Sequence, residues 1–92
     1  MIIASATTVG TTATQIINVT DTSAAAKDGR ITYEILNNGS VPIWIGGNAQ
    51  VTSSNGSPLP AGGARTIDLR LGAVVYAISS QAGQDIRILE VR

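Results

Sequence analysis

RITYEILNNGSVPIWI, residues 30–45, gives the clearest indication of fold class, because its apolar residues recur at every second position. That period of two is the period of a half-buried β-strand. The apolar positions fall in two runs, which are Ile31, Tyr33 and Ile35, then Val41, Ile43 and Ile45. Between the runs stands Asn38-Gly39, a residue pair that tight hairpin turns prefer. The segment therefore predicts two strands joined as a β-hairpin.

Strand-like runs continue on both sides of this segment and are separated by turn-forming residues such as KDGR at 27–30. They cover residues 15–19, 66–71, 73–78 and 85–92. In 15–19 the inward residues are Ile17 and Val19, and in 66–71 they are Ile67, Leu69 and Leu71. The 73–78 run groups Val74, Tyr76 and Ile78, and because Val75 and Ala77 are also apolar we expect a central strand covered on both sides.

The last run differs from the others, because its apolar positions shift from Ile86 and Ile88 to Leu89 and Val91. A β-bulge near Ile88 explains this shift, and so does a second covered face. The link at 79–84 then closes a second predicted hairpin with the preceding strand.

These patterns predict an all-β fold, a small antiparallel two-layer β-sandwich with about six or seven short strands. No window of ten residues or more has helical periodicity and a cap. Residues 14–92 make a single domain, and residues 1–13 make an extended N-terminal arm or an edge strand. Ile2 and Ile3 have no evident place in the sandwich. We therefore expect them at a protein interface, where the arm would contact a neighbouring subunit or lie on a protein shell.

Composition excludes several classes of partner. Six basic and six acidic residues are spread singly, so no cluster exists to neutralise nucleic-acid phosphates or to bind an anionic membrane. The start, MIIASATTVG, predicts neither a secretory signal nor a membrane span. With no cysteine and no histidine, disulfides and the usual zinc ligands are missing, so oligomerisation remains the device that would stabilise so small a core.

No residue pattern indicates catalysis. Nucleophilic catalysis needs a base beside Ser or Thr, and the single lysine, Lys27, stands next to Asp28 in a turn. Glu34 and Asp68 lie on polar faces of different strands, where isolated acids usually serve solubility. Gly46-Gly47 lacks the lysine and the helix of a phosphate-binding loop. We therefore expect no catalytic, metal or cofactor-binding residues.

Trp44 is the residue for which a binding role competes with packing. It points away from the face formed by Val41, Ile43 and Ile45, so either a loop or a partner covers it. Tryptophan is enriched at interface anchors, which favours a subunit interface. Cover by the chain itself and sugar binding remain the alternatives.

In the order of its segments, the sequence resembles small structural proteins and domains of tailed bacteriophages. TVGTTATQI is followed by ITYEILNNGSVPIWIGGNAQVTSSNGSPLPAGG and then by TIDLRLGAVVYAISSQAGQDIRILEV, so the likeness runs from about Thr8 to Val91. The likeness lies in the alternation of strand-like and turn-forming segments, and it contains no catalytic signature.

The resemblance implies a β-sandwich or jelly-roll-like module. It further implies a non-enzymatic virion protein made in the host cytoplasm, most specifically a capsid decoration or cement protein that stabilises the phage head. Its implied partners are the major capsid protein or other virion subunits and further copies of itself, as a homotrimer. The charge pattern described above adds that neither nucleic acid nor a membrane is expected as a partner. The first alternative is a tail-fibre or adhesion module that binds a receptor or glycan. A cupin-like enzyme ranks last, because the sequence has no histidine for its metal site.

Overall fold

The computed structural model describes residues 2–20 and 30–91, which form β-strands joined by turns and loops. The strands in chain order are β1 (Ile2–Val9), β2 (Thr14–Asn18), β3 (Ile31–Asn37), β4 (Ile43–Gly46), β5 (Ser57–Leu59), β6 (Ala64–Leu69), β7 (Val74–Ser79) and β8 (Gln84–Val91). Within those ranges there is no helix long and apolar enough to cross a membrane. Lys27 and Asp28, with the rest of the predicted turn up to residue 29, lie outside the described residues.

The strands form two antiparallel sheets of four strands each, which make a small β-sandwich. The first sheet has the order β1-β8-β3-β6 and the second the order β2-β7-β4-β5. The pairings are nested around the β4–β5 connection, since β4 pairs with β5, β3 with β6, β2 with β7 and β1 with β8. The all-β sandwich predicted from the sequence is thus confirmed.

The predicted count of six or seven strands was wrong, because the described residues contain eight. The strand that the sequence pattern missed is β5, which has three residues centred on Pro58. A strand this short shows no period of two, and its proline indicated a turn. Residues 1–13 contribute β1, which lies at the edge of the first sheet and pairs with β8.

Both predicted hairpins are wrong. β3 belongs to the first sheet and β4 to the second, so Asn38-Gly39 lies in a crossover between sheets. The link after Ser79 likewise carries the chain from β7 in the second sheet to β8 in the first. Alternation fixes which face of a strand is buried, but it does not fix which strand lies alongside.

Two buried polar side chains hold these crossovers in place. Asn37 Nδ2 donates hydrogen bonds to the carbonyl oxygens of Val41 and Leu59, both at 3.0 Å. Gln84 Oε1 accepts hydrogen bonds from the backbone N–H groups of Ser40 (2.7 Å) and Val41 (3.2 Å). The crossover between sheets therefore receives the hydrogen bonds that a hairpin ladder would have supplied.

The core lies between the sheets and is aliphatic apart from Tyr33. Its inward residues include Ile31, Ile35, Ile43, Val75, Ala77, Ile86 and Ile88. β7 is central, as predicted, but its core face is Val75 and Ala77, while Val74, Tyr76 and Ile78 face outward and are half-buried. Leu71, predicted to face inward, is 53% exposed in the turn after β6.

β8 has no bulge, because its register is unbroken against both β1 and β3. Ile86 and Ile88 face the core. Leu89 and Val91 point to the opposite side of the same strand and are exposed. The irregular strand is β2, whose register with β7 shifts between Gln15 and Ile17. That shift buries the two consecutive residues Ile16 and Ile17.

Candidate interaction surface

The outer face of the first sheet carries a group of apolar side chains at one end of its β1–β8 pair. Register places Ile2 opposite Val91 and Ala4 opposite Leu89, and all four side chains point away from the core. Ile2 is 68% exposed, Val91 44% and Leu89 37%. We call this surface the apolar outer face and define it by Ile2, Ala4, Ala6, Leu36, Leu89 and Val91.

A shallow groove of about 480 Å³ crosses the apolar outer face. It is lined by Ala4, Ser5 and Ala6 of β1, by Glu34 and Leu36 of β3 and by Arg87, Ile88 and Leu89 of β8. The groove exists because the alanines are small beside Leu89 and the long side chain of Arg87 in the neighbouring strand. A row of small residues beside larger ones gives a concave strip that could receive apolar side chains from a partner.

Charged side chains stand on the same face, where Arg87 lies between Ala6 and Leu36 in the register. Arg87 Nη2 lies 2.8 Å from Asp85 Oδ2, and Arg87 Nε donates to both carboxylate oxygens of Asp85. Asn38 Nδ2 donates a further hydrogen bond to Asp85 Oδ2 at 3.0 Å. The hydrogen bonds from Arg87, and after them the one from Asn38, lower the pKa of Asp85, and the same carboxylate raises the pKa of Arg87. Both groups are exposed, so solvent and salt weaken this ion pair.

The three predicted interface residues do not form one surface. Ile2 lies on the apolar outer face, whereas Ile3 is half-buried on the opposite side of β1, where its register partner is Glu90. Trp44 lies on the outer face of the second sheet, between its register partners Ile78 and Pro58. Ile2 and Trp44 therefore face away from each other on opposite sides of the sandwich.

The loop at residues 47–56 lies beside Trp44, which is half-buried. The loop is held by its own hydrogen bonds, among them one from Thr52 N to Asn55 Oδ1 (2.7 Å) and one from Gly56 N to Thr52 O (2.9 Å). A Cβ atom at Gly56 would lie 2.7 Å from Trp44 Cβ, so the loop backbone packs directly on the tryptophan. Part of the cover of Trp44 thus comes from its own chain.

A cleft of about 220 Å³ remains open next to this loop, lined by Trp44, Thr52, Ser53, Ile78, Ser79 and Ser80. The hydroxyl of Ser79 is occupied, since it donates to Pro42 O and accepts from Gln81 N. Thr52 Oγ1 accepts from the backbone N–H groups of Ser54 and Asn55. The hydroxyl of Thr52 therefore holds the loop, and that of Ser79 ties β7 to the residue before β4.

The acidic residues considered for catalysis lie on one face but do not form a metal site. Glu34 and Asp68 both point outward from the first sheet, on the neighbouring strands β3 and β6. Asp68 Oδ1 accepts a hydrogen bond from Thr32 Oγ1 at 2.6 Å. Across residues 2–20 and 30–91 no three His, Cys, Asp or Glu side chains come together in a metal-binding arrangement.

The apolar outer face itself was missed by the sequence interpretation. The signal was present in 85–92, where the apolar positions change parity at Leu89. Neither a bulge nor a second covered face causes that change; an unbroken strand with apolar residues on an exposed face produces it. Ala4 and Ala6 gave no signal, because alanine is compatible with either face of a strand.

Comparison with known proteins supports the fold only. No protein-family model matches the chain, and no curated protein matches it significantly. Among solved structures, the chain is similar to one from Bacillus endospore appendages, which form a family of disulfide-linked pili. The TM-score is 0.57 at 15% sequence identity, over 99% of this chain and 84% of that chain.

Proposed function

We propose that this chain is a non-enzymatic structural subunit of a phage virion, and specifically a decoration protein that docks on capsid subunits through the apolar outer face. The observation that carries the proposal is the exposure of Ile2, Leu89 and Val91 side by side on one regular sheet face. Singly exposed apolar residues are ordinary, whereas a contiguous group on a flat face is typical of a protein contact.

The energetics favour docking over solvent exposure for this face. Full burial of an aliphatic side chain contributes about 1.5–3 kcal/mol, so covering Ile2, Leu89 and Val91 would contribute several kcal/mol. The sheet behind them is rigid, because β8 is paired on both of its sides, by β1 and β3. A preformed surface of this kind loses little conformational entropy on binding.

The connectivity of the strands supports the same assignment. Nested pairing of eight strands in two sheets is the arrangement of a jelly roll, an architecture used by viral capsid and lectin domains. Because one fold serves many functions, the virion context comes from the likeness of the segments at 8–91 to phage structural proteins. The mechanism would be mechanical: a subunit that bridges neighbouring capsid proteins resists their separation.

A second candidate is a subunit of a fibre or surface appendage, which the fold likeness to appendage pili favours. The 92 residues contain no cysteine, so this chain would have to assemble without the disulfide links of those pili. Its contacts would again be made by the sheet surfaces described above.

Mass spectrometry of two fractions tests the proposal and separates the candidates. The fractions are density-purified phage particles and sheared surface appendages, both from cultures of the organism whose genome encodes the chain. We expect the chain in many copies per particle and not in the appendages. Presence in appendages alone would support the second candidate, and absence from both fractions would contradict both.

A further inference from the structure

The four strands at the edges of the two sheets differ in how well they are protected against pairing with another chain. A free edge presents unpaired backbone groups, and proteins usually protect it with charges, proline, bulges or shortness. β5 has three residues and contains Pro58, and β2 is short and irregular at Ile16. β6 carries Arg65 and Asp68, and Arg65 also reaches across to Ser57 and to the carbonyl of Pro58 in the other sheet.

β1 has none of these features. It runs for eight residues, IIASATTV, without charge or proline, and its register with β8 is unbroken. Its other edge pairs with no strand among the described residues. Ser5 is exposed although its position in the alternation is on the inner side, so the edge is open to solvent at mid-strand. A long, regular, uncharged edge is a template for adding a strand.

We propose that the free edge of β1 binds β1 of a second copy of this chain, antiparallel, around a two-fold axis through Ser5. In an antiparallel pair, directly opposed residues point to the same side of the sheet. Rotation about a two-fold axis normal to the sheet keeps every side chain on its own side of the sheet. Outward residues of one copy must therefore oppose outward residues of the other. Centring the axis on Ser5 meets this condition and pairs residues 2–8, with Ile2 opposite Thr8, Ile3 opposite Thr7 and Ala4 opposite Ala6.

The side chains of β1 suit self-pairing. The central residues Ala4, Ser5 and Ala6 are small, so two strands can approach without a clash on either face. The β-branched residues Ile2, Ile3, Thr7 and Thr8 lie towards the ends and oppose one another, and such cross-strand pairs stabilise sheets. No charge is brought against a like charge, which favours a second copy over an oppositely charged partner.

The product is a dimer with one continuous eight-stranded sheet, in which both apolar outer faces lie on the same side. This inference stands on the edge strand and does not depend on the virion role. It gives a two-fold dimer, in contrast to the homotrimer that the phage resemblance implies. Where the chain also docks through that face, the dimer would present two contiguous docking surfaces and so gain affinity through bivalency.

Cysteine cross-linking of the untagged full chain tests the geometry directly, because the wild-type sequence contains no cysteine. Opposed residues in an antiparallel pair have Cα atoms about 4.5–5.5 Å apart, within the range of a disulfide. We expect Ser5→Cys to form a disulfide-linked dimer on mild oxidation, much faster than Ala4→Cys. Thr66→Cys, on the exposed face of the other edge strand β6, is the control and should stay reduced.

Sedimentation equilibrium supplies the second measurement. We expect wild-type chain to reach twice its 9.4 kDa mass with rising concentration, and Ser5→Lys to remain monomeric because two lysines would oppose each other. Ser5→Glu should also be monomeric, and an equimolar mixture of the two variants should dimerise. Thr66→Lys should dimerise like the wild type. A monomeric or trimeric wild type, or a Ser5→Lys variant that still dimerises, would overturn the proposal.

Discussion

Gln84 and Ser40 join the two crossovers of the sandwich, because Gln84 Oε1 accepts a hydrogen bond of 2.7 Å from the backbone N–H of Ser40 across 44 positions of sequence. Gln84 begins β8, and Ser40 lies in the link from β3 to β4. The same carboxamide donates from Nε2 to Ala82 O at 3.1 Å. One buried side chain therefore fixes where the chain leaves the first sheet and where it returns.

Replacing Gly39 with alanine should destabilise the fold. A Cβ atom there would clash with Gln84 Oε1 and lie 3.1 Å from Asn37 Oδ1, so the carboxamide must move and weaken its hydrogen bonds. We expect a loss of about 1–3 kcal/mol in the free energy of unfolding, measured by urea titration. Gly47→Ala is the control, since a Cβ at Gly47 meets nothing within 4 Å. Equal stability of the two variants would contradict this account of the crossover.

Removing the Gln84 side chain should have a similar effect for a different reason. In Gln84→Ala the N–H groups of Ser40 and Val41 lose their acceptor, and the crossover depends on water to replace it. We expect about 1–3 kcal/mol of destabilisation. Gln81→Ala removes an exposed glutamine from the same link and should change the unfolding midpoint little. If Gln84→Ala is as stable as wild type, the carboxamide does not hold the crossover.

The strand faces could be predicted from the sequence, and the strand partners could not. Alternation at Ile31, Tyr33 and Ile35 reports burial on one side, which depends only on local geometry. Whether Asn38-Gly39 closes a hairpin or spans two sheets depends on contacts with Gln84 and Leu59, which are distant in sequence. The nested topology is built from such long-range pairings, so local turn preference was overridden.

The candidate surface was predictable only in part. Ile2 stood out as an apolar residue without a place in the core, and the structure leaves it 68% exposed. Its relation to Leu89 and Val91 requires the β1–β8 register, which no local pattern contains. Trp44, which was also predicted at an interface, lies on the second sheet, away from Ile2.

Stability should depend on pH through Asp85. Its pKa is lowered from an ordinary 3.8, so the ion pair with Arg87 contributes fully above that value and is lost as pH falls through the lower folded-state value. We expect the difference in Tm between wild type and Asp85→Asn to be constant above about pH 5 and to vanish at strongly acidic pH. The difference should also shrink with added salt, because both side chains are exposed. A difference that grows on acidification would contradict this reading.

Trp44→Ala should reveal which surface covers the tryptophan. Because the loop at 47–56 packs on Trp44, we expect a loss of about 1–3 kcal/mol in unfolding free energy, smaller than for a fully buried tryptophan. Docking through the apolar outer face should be unchanged, since that face belongs to the other sheet. Urea unfolding and a binding measurement on the same preparation separate the two effects. Lost assembly with unchanged stability would instead put the interface at Trp44.

The most direct test of the central proposal is to measure how much chain remains bound to purified particles when the apolar outer face is made polar. The double variant Leu89→Ser and Val91→Ser changes only exposed side chains of that face. Leu71→Ser is the matched control, since Leu71 is 53% exposed but lies in a turn outside the face. The account predicts a loss of affinity of tenfold or more for the double variant, with unfolding curves like the wild type, and no loss for the control. Undiminished binding of the folded double variant would contradict it.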